Sequence, residues 1–171
     1  MIEAQGYGWN NNNVPKYGFL KLNGDAVWQV SLQAGHATGR GRGANMFVVH
    51  RSTCTLVYSQ NFDTNGDMGA AARLRDYIQG LSVGTVLVGI SSDEASNHLA
   101  DAEATLAGLG ADVSDVEIRG AWAFVAIKGD PSKTVLDKVL TPASALERDP
   151  IVTVTLAAGK AAQMNLYLQI G

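Results

Sequence analysis

The stretch EIRGAWAFVAIKG, residues 117–129, constrains the fold more than any other part of the sequence. Seven successive residues from Ala121 to Ile127 are apolar, so the run has no polar face that could turn to water. A short apolar run bounded by charged residues and glycine is typical of a strand buried on both faces. The sequence therefore predicts such a strand over residues 116–128, with the charged residue Arg119 at its entrance.

Periodicity predicts most of the other elements. An Asn-Gly step between YGFLKL and AVWQVSL predicts a hairpin at residues 17–32. The segments ANMFVVHR and TLVYSQNF are expected to form two antiparallel strands, and TVLVGIS a strand buried on both faces. Apolar residues recur at helical spacing over residues 67–81 and from about 94 to 107. Ser91 and Glu94 match a capping box at the start of the second helix.

The two ends of the chain differ from its middle in their sequence patterns. Residues 5–14 carry four asparagines without a period and predict an ordered loop or an extended arm. The segment DPSKTVLDKVL predicts a short helix, and the alternation in IVTVTLA and QMNLYLQI predicts a terminal hairpin with one apolar face. We therefore divide the chain into an N-terminal arm and hairpin (1–32), a globular domain (33–140), and a C-terminal linker and hairpin (141–171) that we expect to make assembly contacts.

The composition suits one globular core and excludes several functional classes. Of 171 residues, 46% are hydrophobic and 17% are charged, which suits one compact domain and not a disordered chain. A net charge of −3 lacks the positive field that non-specific nucleic-acid binding requires. No stretch reaches the roughly 18 apolar residues of a membrane span, and residues 1–14 lack the pattern of a signal peptide. We expect neither nucleic-acid binding nor membrane insertion.

The sequence offers no constellation for catalysis or metal binding. Cys54 is the single cysteine, which excludes an internal disulfide and predicts a free thiol in a turn. The three histidines lie far apart and have no cysteine partners at ligand spacing, so we expect no metal. The glycine-rich residues 39–43 open an apolar strand and not a helix, which favours a connector over a phosphate loop. We therefore expect no enzyme and no cofactor.

Two pairs of acidic residues are better explained by local structure than by acid–base chemistry. They are Asp63 with Asp67, and Asp93 with Glu94. Hydrolysis would require two carboxyl groups that face each other across a cleft, and neighbours in one helix cap do not meet that condition. These residues are more often turn residues or charges that complement a helix N-terminus.

The sequence leaves two explanations for Arg119 open. In the first, its stem lies on apolar surface and its head pairs with Glu117 or another nearby acid. In the second, Arg119, Trp122 and Asp93 converge at one edge of the sheet, if the strands that carry them are antiparallel neighbours. A forked donor, an acceptor and an aromatic face would suit a polar ligand with apolar faces, such as a sugar.

Four segments, in this order and spacing, resemble a known family: GRGANMFVVHRSTCTLVYSQNFDT, VGTVLVGISSDEASNHL, LAGLGAD and RGAWAFVAIKG. They are similar to the domain shared by the interleukin-like EMT inducer and pancreatic-derived factor. The same domain occurs in the stem of the glycosyltransferase that adds N-acetylglucosamine to O-linked mannose. The resemblance covers about residues 41–129. It implies an α/β (α+β) module of two mainly antiparallel β-sheets with flanking short helices and no catalytic machinery, here extended by the two terminal hairpins.

The resemblance also implies a site for sugar. In the glycosyltransferase stem, the acid of a DEAS-like motif and the arginine of an RGAW-like motif contact glycan, and these positions match Asp93 and Arg119. Trp122 matches the family's tryptophan. Together with neighbours on the surrounding rim, the candidate ligand-binding residues are Asp93, Arg119, Trp122, Glu94, Asn97 and His98.

The single cysteine and the lack of a secretory leader favour a setting other than animal signalling. We expect a bacteriophage or microbial member of the family that recognises a glycan or cell-surface receptor. It would do so in a virion surface assembly such as a tail fibre, spike or decoration protein. The apolar face of the C-terminal hairpin needs a partner surface, so we expect a homo-oligomer and contacts with other virion proteins. The expected location is the virion, after synthesis in the host cytoplasm, with an extracellular location as the alternative. The alternative functions are a purely structural virion subunit and a secreted signalling protein.

Overall fold

A computed structural model describes residues 1–8, 16–32, 41–140 and 151–156 of the chain. These residues form mainly β-strands, with two short helices. The strands are β1 (Ile2–Gly8), β2 (Lys16–Leu22), β3 (Asp25–Leu32), β4 (Gly43–His50), β5 (Thr55–Phe62), β6 (Val86–Asp93), β7 (Ala121–Ile127), β8 (Asp130–Val139) and β9 (Ile151–Leu156), and the helices are α1 (Ala70–Gly80) and α2 (Ala100–Gly108). The predicted α+β fold class is confirmed.

Two groups of strands face each other across an apolar core. The first group has the order β5-β4-β6-β7-β8 and the second the order β3-β2-β1-β9, and all pairs within each group are antiparallel. Both groups contribute to one buried cluster that includes Ile2, Leu20, Phe47, Val88 and Val125. The two predicted sheets are layers of one hydrogen-bonded sheet, because the end of β1 pairs in parallel with the end of β6.

The helices cover the other side of the first strand group, so β7 is enclosed on both faces. Trp122 and Phe124 belong to the cluster that also contains Leu74 of α1, whereas Ala123 and Val125 belong to the cluster between the two strand groups. All seven residues of β7 are buried. The run of seven apolar residues therefore reflects two separate cores, one on each face, as the sequence predicts.

The predicted hairpin near the N-terminus is confirmed. Strands β2 and β3 pair from Lys16 and Leu32 down to a two-residue turn at Asn23 and Gly24. The turn residues have φ angles of 56° and 97°. Positive φ at both positions is the geometry that a tight hairpin turn requires and that an Asn-Gly pair adopts readily.

Two predictions about the path of the chain are wrong. The segment DPSKTVLDKVL forms β8 and not a short helix, because it pairs along the fully buried β7. The two strands form a hairpin with a turn at residues 128 and 129, and this pairing overrides a local helical pattern. Residues 5–14 are predicted as an ordered loop or an extended arm, and the loop alternative is wrong for residues 5–8, which belong to strand β1 and its pairing with β2, β6 and β9. The asparagine run that follows lies outside the described residues.

At the C-terminal end, β9 confirms the first strand of the predicted hairpin, and residues 157–171 lie outside the described part of the chain. Because β1, β2, β3 and β9 share one sheet with the middle strands, the terminal elements lie within the same hydrogen-bonded framework. The proposed boundaries at residues 32 and 140 stay a prediction.

Candidate functional site

Four strand ends meet at one edge of the molecule, which we call the junction edge. Strands β1 and β6 end there, and β4 and β7 begin there. Gly8 pairs with Asp93 across the short parallel contact. The turn before β7 lies directly against Gly8, since a Cβ atom built on Gly8 would lie 2.1 Å from the carbonyl oxygen of Arg119. The junction edge therefore brings Asp93 and Arg119 to the same side of the molecule.

Asp93 and Arg119 share an uncommon backbone conformation. Their φ angles are 63° and 70°, in the left-handed region that favours glycine. A non-glycine residue there costs about 1–2 kcal/mol, so the surroundings must hold it in place. Asp93 ends β6, and Arg119 lies in a turn closed by a 2.9 Å hydrogen bond from the Gly120 N–H to the Glu117 carbonyl oxygen.

The Glu94 carboxylate connects two backbone segments. One is the loop that follows Asp93, and the other is the turn that contains Arg119. The Glu94 side chain is buried, with 6% exposure. Its Oε1 accepts hydrogen bonds from the Ser96 N–H (2.7 Å), the Ser96 hydroxyl (2.7 Å) and the Asn97 N–H (3.1 Å). Its Oε2 accepts a hydrogen bond from the Arg119 N–H. Glu94 therefore ties the loop after β6 to the turn before β7.

The predicted capping box at Ser91 and Glu94 is wrong. Helix α2 begins at Ala100, several residues later than the apolar spacing suggests, and has no side-chain cap. Strand β6 continues through Asp93, which places Ser91 inside the sheet. There its Oγ accepts a hydrogen bond of 2.8 Å from the backbone N–H of Trp122. The two polar residues support β7 and its entrance and do not start a helix.

The guanidinium of Arg119 lies at the surface. Its backbone N–H makes the bond to Glu94, while the residue as a whole is exposed. The ion pairs found among the described residues do not include Arg119, which disfavours the explanation in which its head pairs with Glu117. Asp93 is half-buried on the same junction edge, where its charge acts on Arg42 and on Tyr7. The edge therefore carries both an exposed forked donor and a carboxylate.

The other candidate residues divide between core and surface. Trp122 is fully buried and its ring stacks on Phe124 at a centroid distance of 5.8 Å, so it presents no face at the surface. Asn97 is exposed and donates to the Asn65 Oδ1 at 3.1 Å. His98 is half-buried, and its backbone N–H donates to the Thr64 carbonyl oxygen at 3.0 Å. Asn97 and His98 therefore extend the polar surface towards residues 64 and 65.

Sequence reasoning missed two residues of the junction edge. Ile118 directly precedes Arg119 in the chain and is 56% exposed, so it offers apolar surface on the same turn. Gly8 allows β1 to approach the 119–120 backbone closely. The stretch EIRGAW already shows an isoleucine beside the arginine, whereas the role of Gly8 depends on a contact between distant parts of the chain.

Two further charged residues noted in the sequence are engaged with each other near this edge. Arg42 donates from Nε and Nη2 to the two carboxylate oxygens of Asp63, at 2.9 and 2.7 Å. Burial raises the pKa of Asp63, but hydrogen bonds from Arg42 and from the Gly66 N–H outweigh it and lower that pKa overall. Asp67 similarly pairs with Arg73. These contacts agree with turn roles for both acids and a connector role for Arg42, while Arg40 lies outside the described residues.

Several other features bear on the predicted function. Within residues 1–8, 16–32, 41–140 and 151–156, no three His, Cys, Asp or Glu residues group in a way that could hold a metal ion. None of the helices described is long and apolar enough to cross a membrane. Cys54 is a free thiol in the turn between β4 and β5, as the sequence predicts.

The Tyr7 hydroxyl lies buried beneath the junction edge. Tyr7 pairs with Ser92 across the parallel contact and has no exposed surface. Burial raises the pKa of Tyr7 to about 12, the Ser92 hydroxyl opposes this rise, and the Asp93 carboxylate adds to it. Tyr7 is therefore held in its neutral form well beyond the ordinary range of tyrosine.

We expect the free energy of unfolding to fall as the pH rises from about 10 to about 12. The unfolded chain releases the Tyr7 proton near pH 10, whereas the folded chain keeps it until about pH 12, so ionisation favours unfolding between these values. Below about pH 10 both states hold the proton and the effect is absent. Urea unfolding across this range should show a shallower decline for Tyr7→Phe than for the wild type. Tyr58→Phe, on the exposed strand β5, is the matched control, and an unchanged decline in Tyr7→Phe would contradict the prediction.

Comparison with known proteins shows the family to which this fold belongs. Residues 42–130, about half of the chain, match the family described as Interleukin-like EMT inducer. The chain belongs to the interleukin-like EMT inducer family. The family resemblance read from the four sequence segments is thereby confirmed.

Individual relatives are longer proteins with names that refer to a glycan. The chain is 28% identical over 149 residues to the cell migration-inducing and hyaluronan-binding proteins of Mus musculus and Homo sapiens, with 78% of this chain covered. It is 28% identical over 176 residues to the cell surface hyaluronidase of Danio rerio, with 90% of this chain covered. The chain spans only 11% to 13% of the length of these relatives.

Proposed function

We propose that this chain is a non-catalytic carbohydrate-binding module and that its binding surface is the junction edge. The observation that carries the proposal is that the exposed residue Arg119 and the half-buried Asp93 lie on the same edge, where β1, β6 and β7 meet. Asn97 and His98 would form the rim. Trp122 and Glu94, which the sequence places among the ligand-binding candidates, would support this surface from beneath because both are buried.

The chemistry of the junction edge suits a sugar. A guanidinium offers several fixed donors and a carboxylate offers acceptors, which together match vicinal hydroxyl groups. The exposed side chain of Ile118 adds an apolar contact for the C–H face of a sugar ring or for an acetyl methyl group. Since the chain has a net charge of −3, recognition would rely on directed hydrogen bonds more than on a broad positive field.

Hyaluronan is the first ligand to test, because two relatives are named for hyaluronan binding and a third is named a hyaluronidase. Its uronate carboxylate could accept two parallel hydrogen bonds from Arg119. Its hydroxyl and acetamide groups could donate to Asp93. In this proposal the module recognises hyaluronan or a related glycan and carries out no chemistry on it.

The setting of the module is a separate part of the proposal. The words "cell surface" in the name of one relative support the extracellular location that the sequence left as an alternative. A role in a virion surface assembly, a phage or microbial origin, homo-oligomer formation and a purely structural role all stay predictions. A secreted signalling role stays an alternative to glycan recognition.

Arg119→Ala is expected to weaken binding of hyaluronan oligosaccharides by about 10-fold to 100-fold. Loss of hydrogen bonds to a charged group costs about 1.5–3 kcal/mol, which corresponds to that range. The dissociation constants can be measured by isothermal titration calorimetry. Arg75→Ala removes the same charge from α1, where Arg75 pairs with Asp76, and should leave the affinity unchanged.

Parallel titrations with chondroitin and with neutral N-acetylglucosamine oligomers would show whether the uronate contributes. Preference for either acidic glycan would support the pairing of Arg119 with a carboxylate. The proposal fails if the wild-type chain binds none of the three glycans, or if Arg119→Ala binds as tightly as the wild type.

A further inference from the structure

We infer that Glu94 is a positioning residue for the proposed glycan site: it acts on the ligand through Arg119 and does not touch the ligand itself. The inference rests on the proposed function and assigns a specific task to a residue that the sequence analysis placed among the ligand contacts. It follows from the buried position of the Glu94 carboxylate, from the groups that donate hydrogen bonds to it, and from the backbone conformation of Arg119.

The hydrogen-bonding capacity of Glu94 is directed inwards. Three donors converge on Oε1, all of them from Ser96 and Asn97, and the Arg119 N–H donates to Oε2. With 6% of the residue exposed, the carboxylate has almost no surface for a ligand. A buried carboxylate is tolerated when several donors stabilise it, and here the donors come from two separate backbone segments.

The turn that contains Arg119 is held at further points by the same network. The Ser96 hydroxyl lies 2.7 Å from the Glu94 Oε1 and 2.8 Å from the Glu117 carbonyl oxygen, so its proton can be shared between them. The Glu117 N–H donates to the Leu140 carbonyl oxygen at 2.8 Å, just beyond β8. The loop after β6, the turn before β7 and the end of β8 therefore form one connected unit.

Backbone strain explains why such a support is needed. Arg119 has a φ of 70°, a conformation that glycine would adopt without strain and that is unfavourable for arginine. The hydrogen bond from its N–H to Glu94 offsets that cost. Asp93, with a φ of 63°, lies directly before Glu94 in the chain. The contacts of Glu94 reach Arg119 and not the backbone of Asp93, so its effect on the ligand is expected to pass through Arg119.

Glu94→Gln is the variant that tests this role. The amide has one acceptor oxygen and an NH₂ group that cannot accept a hydrogen bond, so either the Arg119 N–H or the donors on Oε1 lose their partner. We expect the dissociation constant for hyaluronan oligosaccharides to rise about 10-fold. We also expect hydrogen exchange at the Arg119 amide, measured by NMR without ligand, to accelerate by about 10-fold. Ser96→Ala, which removes one donor, is the milder second variant if Glu94→Gln does not fold.

A matched control separates positioning from general destabilisation. Ser91→Ala removes the acceptor of the buried Trp122 N–H in the adjoining strand and leaves the Glu94 contacts in place. It should lower the free energy of unfolding but leave both the affinity and the Arg119 exchange rate unchanged. If Ser91→Ala weakened binding as much as Glu94→Gln did, the positioning role would be overturned.

A double-mutant cycle shows whether Glu94 acts through Arg119. In the Arg119→Ala background, adding Glu94→Gln should cause no further loss of affinity, because the group that Glu94 positions is already absent. Additive losses would overturn the inference and indicate a separate contact with the ligand. If the wild-type chain binds no glycan, the proposed function fails. In that case the exchange rate of the Arg119 amide still tests the hydrogen bond to Glu94, and an unchanged rate in Glu94→Gln would refute it.

Discussion

Replacing Trp122 with alanine is expected to lower the free energy of unfolding by about 3–5 kcal/mol. The side chain is fully buried, lies in the core between β7 and the helices, and stacks on Phe124. Alanine would leave a large cavity in a strand that is closed on both faces and cannot collapse easily. Domains of this size are stable by only about 5–15 kcal/mol, so the loss is a large fraction of the total. Urea unfolding followed by circular dichroism would measure it.

Two further variants separate the core role of Trp122 from a role in binding. Trp28→Ala removes a half-buried indole from β3, where it contacts Phe47 at a centroid distance of 5.1 Å, and should cost less than Trp122→Ala. Trp122→Phe should keep most of the stability and the full glycan affinity. A stable Trp122→Phe that no longer binds glycan would mean that the indole contacts the ligand, contrary to its buried position.

Gly8→Ala is expected to destabilise the fold by about 3 kcal/mol and to weaken glycan binding by more than about 10-fold. The added Cβ atom would lie 2.1 Å from the Arg119 carbonyl oxygen and 2.6 Å from that of Gly120. Both atoms belong to the backbone, so β1 and the turn before β7 must move apart. That movement would displace Arg119 and weaken the parallel contact between β1 and β6.

Gly80→Ala is the matched control for Gly8→Ala. It adds the same methyl group at the end of α1, where a Cβ atom meets nothing within 4 Å. Its effect should be neutral or stabilising by up to about 1 kcal/mol, because alanine favours a helix over glycine. Thermal unfolding and glycan titration of both variants give the comparison, and similar values for the two would contradict the close packing at the junction edge.

The sequence predicts those elements whose signals are local. Seven apolar residues in β7 can be satisfied only by cover on both faces, and the Asn23-Gly24 pair fits a tight hairpin turn. The local pattern of β8 predicts a helix, whereas the turn at residues 128 and 129, where Gly129 has a φ of 87°, directs it to pair with β7 as a hairpin. The glycines of β1 favour a loop when only the local sequence is considered. In the structure, the lack of a side chain at Gly8 lets β1 lie close to the backbone of Arg119.

For the candidate site, the sequence offers residues but not the contacts that connect them, and its role in binding stays a prediction. The family resemblance identified Asp93 and Arg119, and the structure places both on the junction edge. The task of Glu94 could not be predicted, because its acceptor oxygen meets an N–H group 25 residues away. The capping-box pattern predicts a different partner for Glu94, namely Ser91 at the start of a helix. Contacts between a side chain and a distant backbone leave no periodic signal in a sequence.

The pairing of β1 with β9 has a consequence for how the chain is made. These strands pair from Ile2 with Leu156 to Tyr7 with Ile151, so their contact spans nearly the whole sequence. During translation β2 follows β1 closely and can pair with it early, but the edge of β1 that faces β9 has to wait until β9 has been made. Closure across so long a separation is slow. Until β9 has been made, the edge of β1 that pairs with it stays open, so this part of the sheet cannot be completed by neighbouring segments alone.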